Sequence, residues 1–129
     1  MDIERHMAAA TRIERSLQKC GAQDWEMKIE GAMLAGTHWL NAALHRMGVT
    51  QPGGDVFHSY LLTVNQYRRL CVAADGMVRA LSEIEDLRPP FVRGNWPGAE
   101  AAADRALALL SGIRSKVLEA PIGSRADQA

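Results

Sequence analysis

Apolar residues recur at steps of three or four along most of the chain, the spacing of one face of an α-helix. In the first segment Ile3, Met7, Ala10, Ile13, Leu17 and Cys20 form a single stripe, which predicts a helix over 2–20. Asp2 and Glu4 stand at its start and Lys19 near its end, the arrangement that complements a helix dipole, and Gly21 is a natural stop. A second helix is expected over 25–47 with Asp24 as its cap. Its face is broad: Trp25, Ile29, Ala32, Met33, Gly36, Leu40, Ala43, Leu44 and Met47. Trp39 and Ala42 lie outside that face, so this helix is expected to be buried on more than one side. Gly36 costs a helix about 1 kcal/mol relative to Ala. Beside Ala32, Ala35 and Ala43 it reads as a place where another helix comes close.

Residues 48–54 are rich in Gly and Pro and predict a turn-rich loop. A long third helix is expected over 56–87, with Asp55 as its cap. It carries two stripes, one of Phe57, Leu61, Val64, Tyr67, Cys71, Ala74, Val78 and Leu81, the other of Leu70, Ala73, Met77, Ala80, Ile84 and Leu87. Two stripes imply two neighbours, or one neighbour and a partner chain, and Gly76 marks where the helix would kink into two. Pro89 and Pro90 stop it, because the residue before a proline is pushed out of the α region. The fourth helix is expected over 96–118, capped by Asn95 with Pro97 in its first turn, and with Ala99, Ala102 or Ala103, Ala106, Leu110, Ile113 and Val117 facing inward. Four long helices with short connections predict an all-α fold, an antiparallel up-down four-helix bundle. A single domain is expected over 1–120, with a disordered tail over 121–129.

Composition agrees with the pattern. A chain of 129 residues fits one domain, and Ala (20) and Leu (13) outnumber the β-branched and aromatic residues that strands favour. Fifteen basic residues balance fifteen acidic ones. Zero net charge argues against a nucleic-acid binder that works through a uniformly basic surface and leaves room for a local basic site. Cys20 and Cys71 lie 51 residues apart, without a Cys-x-x-Cys, and are expected to be buried free thiols of a reducing cytosol. No apolar run has the length of a membrane span and the first residues lack the pattern of a signal peptide, so a cytoplasmic protein without membrane contact is expected.

Three groups of residues carry chemistry. On the second helix Glu30, Leu34, His38, Asn41 and His45 share one side, which reads as a solvated face or as a polar groove. His38 and His45 are seven residues apart, about 10 Å along a helix, and cannot share one metal ion. There is no Glu-x-x-His pair, so no metal and no cofactor is expected. Asp55-Val-Phe-His58 offers an acid–base pair, against the plainer reading of Asp55 as a cap. The loop after the third helix places Arg88 and Arg93 five apart, with Phe91 between them and Trp96 just beyond. Guanidinium groups grip phosphate and aromatic rings stack on bases. The plainer reading has Phe91 and Trp96 plug the end of the bundle while the arginines meet carbonyls or acidic side chains.

At this loop the chain resembles the HEPN domains. The residues that carry the likeness are the helix over 25–47, the Gly-rich loop, His58 near the start of the next helix, and Leu87-Arg88-Pro-Pro-Phe-Val-Arg93-Gly94. Many members are dimeric, metal-independent RNases marked by an Arg, four to six residues, and then a His. Arg88 takes the Arg position, whereas Arg93 stands where the shortest spacing places the His, and Pro89 replaces the polar residue that commonly follows the Arg. An arginine stays protonated and cannot act as a general base at neutral pH. The resemblance therefore implies a degenerate member that binds RNA or a nucleotide through Arg88 and Arg93 without cutting it. Joined to the loop reading, the expectation is a non-catalytic, homodimeric module that contacts RNA, a nucleotide or a partner protein through Arg88, Phe91, Arg93 and Trp96. Two alternatives stand beside it. One is an RNase-type enzyme using His38, His45 and His58 with Arg88. The other is a scaffold subunit acting by helix association, which predicts an exposed apolar patch around Trp39, Ala42 and Met77.

Overall fold

A computed structural model describes residues 1–74 and 76–119; the tail expected over 121–129 lies outside the described residues. The fold is all-helical, with five α-helices among the described residues: α1 (Ile3–Leu17), α2 (Trp25–Arg46), α3 (Val64–Ala74), α4 (Met77–Asp86) and α5 (Ala99–Glu119). A 3-10 turn (Ser59–Leu61) and a π-helical turn (Pro89–Arg93) complete the regular structure. No helix among the described residues is long and apolar enough to cross a membrane.

The central element is α2, which touches α1, α3, α4, α5 and the turn 89–93. Its broad apolar face has the predicted effect, since Ile29, Ala32, Leu40 and Leu44 are fully buried, and Trp39 and Ala42 from outside that face are buried as well. Trp39 donates from Nε1 to Glu14 Oε2 at 2.6 Å, and Glu14 also takes Arg114, which ties α1, α2 and α5 together. Val78, Leu81 and Ile84 of α4 and Ala106, Leu110, Ile113 and Val117 of α5 close the core around α2.

The expected third helix is corrected. Residues 55–58 are not helical, a 3-10 turn follows, and the rest divides into α3 and α4 at Gly76, the kink position. Gly76 has φ +88°, a left-handed conformation that L side chains rarely adopt. Thr63, rather than Asp55, starts the helical run. Gln66 N donates to Thr63 Oγ1 at 3.1 Å while Thr63 N donates to Gln66 Oε1 at 2.9 Å, a reciprocal capping box. The first stripe therefore dissolves at its start, and Phe57, Leu61 and Val64 are exposed.

The fourth helix begins at Ala99, later than expected, because Pro97 and Gly98 form a turn and Gly98 has φ +93°. Asn95 and Trp96 thus lie before it. The prolines end α4 only partly: the chain leaves helix at Leu87 and coils again through 89–93, where Gly94 N donates back to Pro89 O at 2.8 Å. Trp39, Ala42 and Met77 are buried, so the apolar patch expected of a scaffold does not form there. Cys20 and Cys71 are free but half-buried, less enclosed than their stripes predict.

Candidate functional site

The site begins with Asn41, which is 1% exposed on α2. Its side-chain amide grips residue 56 of the following segment: Val56 N donates to Oδ1 at 2.7 Å, and Nδ2 donates to Val56 O at 2.6 Å. A non-helical strand of chain has no ladder of its own, so this two-point clamp satisfies backbone groups that burial would otherwise orphan. It also fixes Asp55 on one side and His58 on the other.

On the first side, Asp55 meets two histidines, His6 from α1 and His45 from α2, and His38 joins the group through His6. His6 Nε2 lies 2.9 Å and His45 Nε2 2.7 Å from the same oxygen, Asp55 Oδ1. The Met1 amine sits 3.2 Å from Asp55 Oδ2. His6 Nδ1 lies 2.9 Å from His38 Nδ1, and His45 Nδ1 lies 2.6 Å from Thr50 Oγ1. His6 and His45 are buried. Burial pushes the Asp55 carboxyl upward, but the donors His6, His45 and the terminal amine outweigh it and hold the group at about 2. His38 is shifted below its ordinary value, first by burial and then by His6 and Arg12, with Asp55 opposing. Its imidazole is therefore favoured in the neutral form.

On the second side, Glu85 of α4 is buried and fully occupied. His58 donates from Nδ1 to Oε2 at 3.1 Å, Ser59 N donates to Oε2 at 3.0 Å, and Ser59 Oγ donates to Oε1. Ser82 Oγ donates to Ser59 Oγ at 2.7 Å and lies 3.2 Å from the Tyr67 hydroxyl. The His58 ring stacks on Tyr60 with centroids 4.6 Å apart.

Between α3 and residues 49–62 runs an open cleft of about 360 Å³. Val56, Leu61, Leu62 and Leu70 give it apolar walls, and Thr50, Asp55, His58, Gln66 and Arg69 bring polar groups to it. Both histidine groups thus border one cleft, through Asp55 and His58.

The sequence candidates separate. His38 and His45 do meet one cluster, through His6, and do not pair directly; the ring centroids of His6 lie 5.2 Å from His38 and 5.4 Å from His45. Asp55 and His58 are not a pair: each takes partners from other helices. Arg88 belongs to neither cluster directly. It forms an ion pair with Glu30, and Glu30 and Tyr60 both hold its guanidinium above its ordinary value against the effect of burial. Arg93 and Trp96 are exposed, whereas Phe91 packs half-buried against the core. The helix-two stripe is no uniform solvated face, because Asn41 and His45 are buried at its C-terminal end. Sequence reasoning missed His6, Ser59, Glu85 and Arg69. The available signal was scarcity: the chain has four histidines, and all four end in these two clusters. No family model, no curated protein and no solved structure matches the chain.

Proposed function

We propose that this protein is a cytoplasmic, HEPN-like helical domain, built as an up-down bundle of α1, α2, α4 and α5, that binds a nucleotide or a short single-stranded RNA segment. The observation that carries this reading is the cleft. Its volume lies within the range of small-ligand sites, and its apolar walls carry a few convergent polar groups, the character of a site that holds a flat apolar body and orients it. Arg69 supplies the cation for a phosphate and His58 a hydrogen bond, while the exposed ring of Phe57 offers a face on which a base stacks. Phosphate contact is assigned to Arg69 rather than to Arg88, whose guanidinium is already taken by Glu30.

The test is binding of a labelled mononucleotide and a labelled single-stranded RNA at two salt concentrations. The wild type should bind more weakly at the higher salt. Arg69→Ala should lose most of that binding, and the Arg88→Ala/Arg93→Ala double variant should lose little. Absence of binding by the folded wild type, or loss confined to the double variant, overturns the assignment.

A second reading is favoured by the His58–Glu85 pair. A carboxylate that takes the Nδ1 proton orients the ring and leaves Nε2 for proton transfer, as a general acid or base requires. On that reading the domain cleaves the bound phosphodiester, and RNA shortened by the wild type but intact with His58→Asn is the expected result.

A further inference from the structure

His6 from α1, His45 from α2 and Asp55 from the clamped segment each present one ligand atom, and these atoms all lie within 4.8 Å of one another. We infer that this triad is a binding site for one borderline divalent transition-metal ion, with Zn²⁺ as the representative. The inference does not depend on the nucleotide reading.

The donor set points to the ion. Two imidazole nitrogens and one carboxylate oxygen suit zinc and its neighbours, whereas Mg²⁺ and Ca²⁺ prefer oxygen ligands. Three protein ligands and one open position are the pattern of zinc sites that keep a place for water or substrate. Asp55 lines the cleft, while His6 and His45 are buried.

Two of the three ligand spacings are close to what an ion needs. The two Nε2 atoms stand 2.9 Å and 2.7 Å from Asp55 Oδ1. Ligands about 2.0–2.1 Å from a tetrahedral ion are about 3.3 Å apart, so each contact opens by about half an ångström when the ion replaces the bridging protons.

The outer nitrogens make that exchange self-consistent. With protons on both Nε2 atoms, His6 and His45 donate to Asp55, and their Nδ1 atoms accept from His38 and from the Thr50 hydroxyl. When Nε2 binds the ion, each proton moves to Nδ1 and the direction of the outer hydrogen bond reverses. A hydroxyl and a neutral imidazole nitrogen can each donate or accept, so the His6–His38 and His45–Thr50 contacts persist in either state. Such outer partners fix the tautomer of a metal-bound histidine and raise its basicity.

The experiment uses the full, untagged chain after treatment with a chelator. Zn²⁺ is titrated against a competing chromophoric chelator, and Co²⁺ is substituted to read the ligand field. One equivalent should bind, with the visible bands of a four- or five-coordinate Co²⁺ site, and excess Mg²⁺ should not displace it. His45→Gln and Asp55→Asn should each weaken binding by about 100-fold or more, and Thr50→Val by about 10-fold. Cys20→Ser/Cys71→Ser should bind as the wild type does. If the triad variants fail to fold, X-ray absorption of the zinc-loaded wild type decides: two imidazoles and no sulfur support the site. Binding of no equivalent by the wild type, binding that survives the triad variants, or a sulfur ligand overturns it.

Discussion

Asp55 illustrates how one carboxylate can organise several segments. It accepts from His6 and His45 and meets the terminal amine, and its carboxyl is held at about 2 against an ordinary 3.8. A folded value below the unfolded one means that the native state binds the proton more weakly. The stabilisation is therefore complete above about pH 4 and disappears as the pH falls towards 2. A difference of nearly two units corresponds to about 2 kcal/mol. Denaturant unfolding of the chelator-treated protein between pH 2 and pH 5 should show this step, and Asp55→Ala should remove it. At pH 7 the same variant should unfold about 2–4 kcal/mol more easily, because His6 and His45 lose their acceptor inside the protein. A variant with the wild-type pH profile would show that the carboxylate is not the organising group. The sequence exposed Asp55 only as an acidic residue before an apolar run, which is how a helix cap looks. Its true partners sit in α1 and α2, 49 and 10 positions away, and no local pattern reports contacts of that separation.

Where elements form, local signals and long-range contacts had different reach. The periods of α1, α2 and α5 are long and consistent, so those helices are legible in the sequence to within a few residues. Phe57, Leu61 and Val64 follow the same period without being helical partners of one core face. The chain there leaves the helical path because Asn41 and Glu85 satisfy its backbone, a supply that exists only once α2 and α4 are in place. The true start of α3 did have a local mark, the Thr63-x-x-Gln66 capping box. Thr63→Ala removes one half of it and should cost about 1 kcal/mol in denaturant unfolding, with Thr63→Ser close to the wild type. An unchanged midpoint for Thr63→Ala would mean that tertiary packing alone sets the boundary. The Arg88–Arg93 loop shows the opposite difficulty. Its residue types are those of a phosphate site, yet Glu30 from α2 occupies Arg88, and only the fold discloses that pairing.

At the scale of the whole molecule, the histidine cluster depends on how closely α1 packs on α2, since α1 supplies His6 alone. The small residues of α2 point to Gly36 as the place of close approach, but the tight contact is at Gly31. A Cβ added at Gly31 would lie 2.4 Å from Leu17 Cδ2, whereas one at Gly36 would meet Ile113 and Leu81 at an ordinary 3.5 Å. Adding a methyl at a helical glycine removes backbone freedom from the unfolded chain and favours helix by about 1 kcal/mol. At Gly36 nothing opposes that gain, so Gly36→Ala should raise the thermal midpoint by a few degrees. At Gly31 the Leu17 side chain must swing away from α2, which outweighs the gain, and Gly31→Ala should be less stable than the wild type as well as than Gly36→Ala. The cause can be isolated by a double-mutant cycle. In a Leu17→Ala background the space is already vacated, and adding Gly31→Ala should then stabilise, a change of sign that independent sites do not show. Equal effects of Gly31→Ala in both backgrounds would mean that α1 does not rest on Gly31. The packing that carries His6 to Asp55 would then have to be set by the remaining contacts along α1.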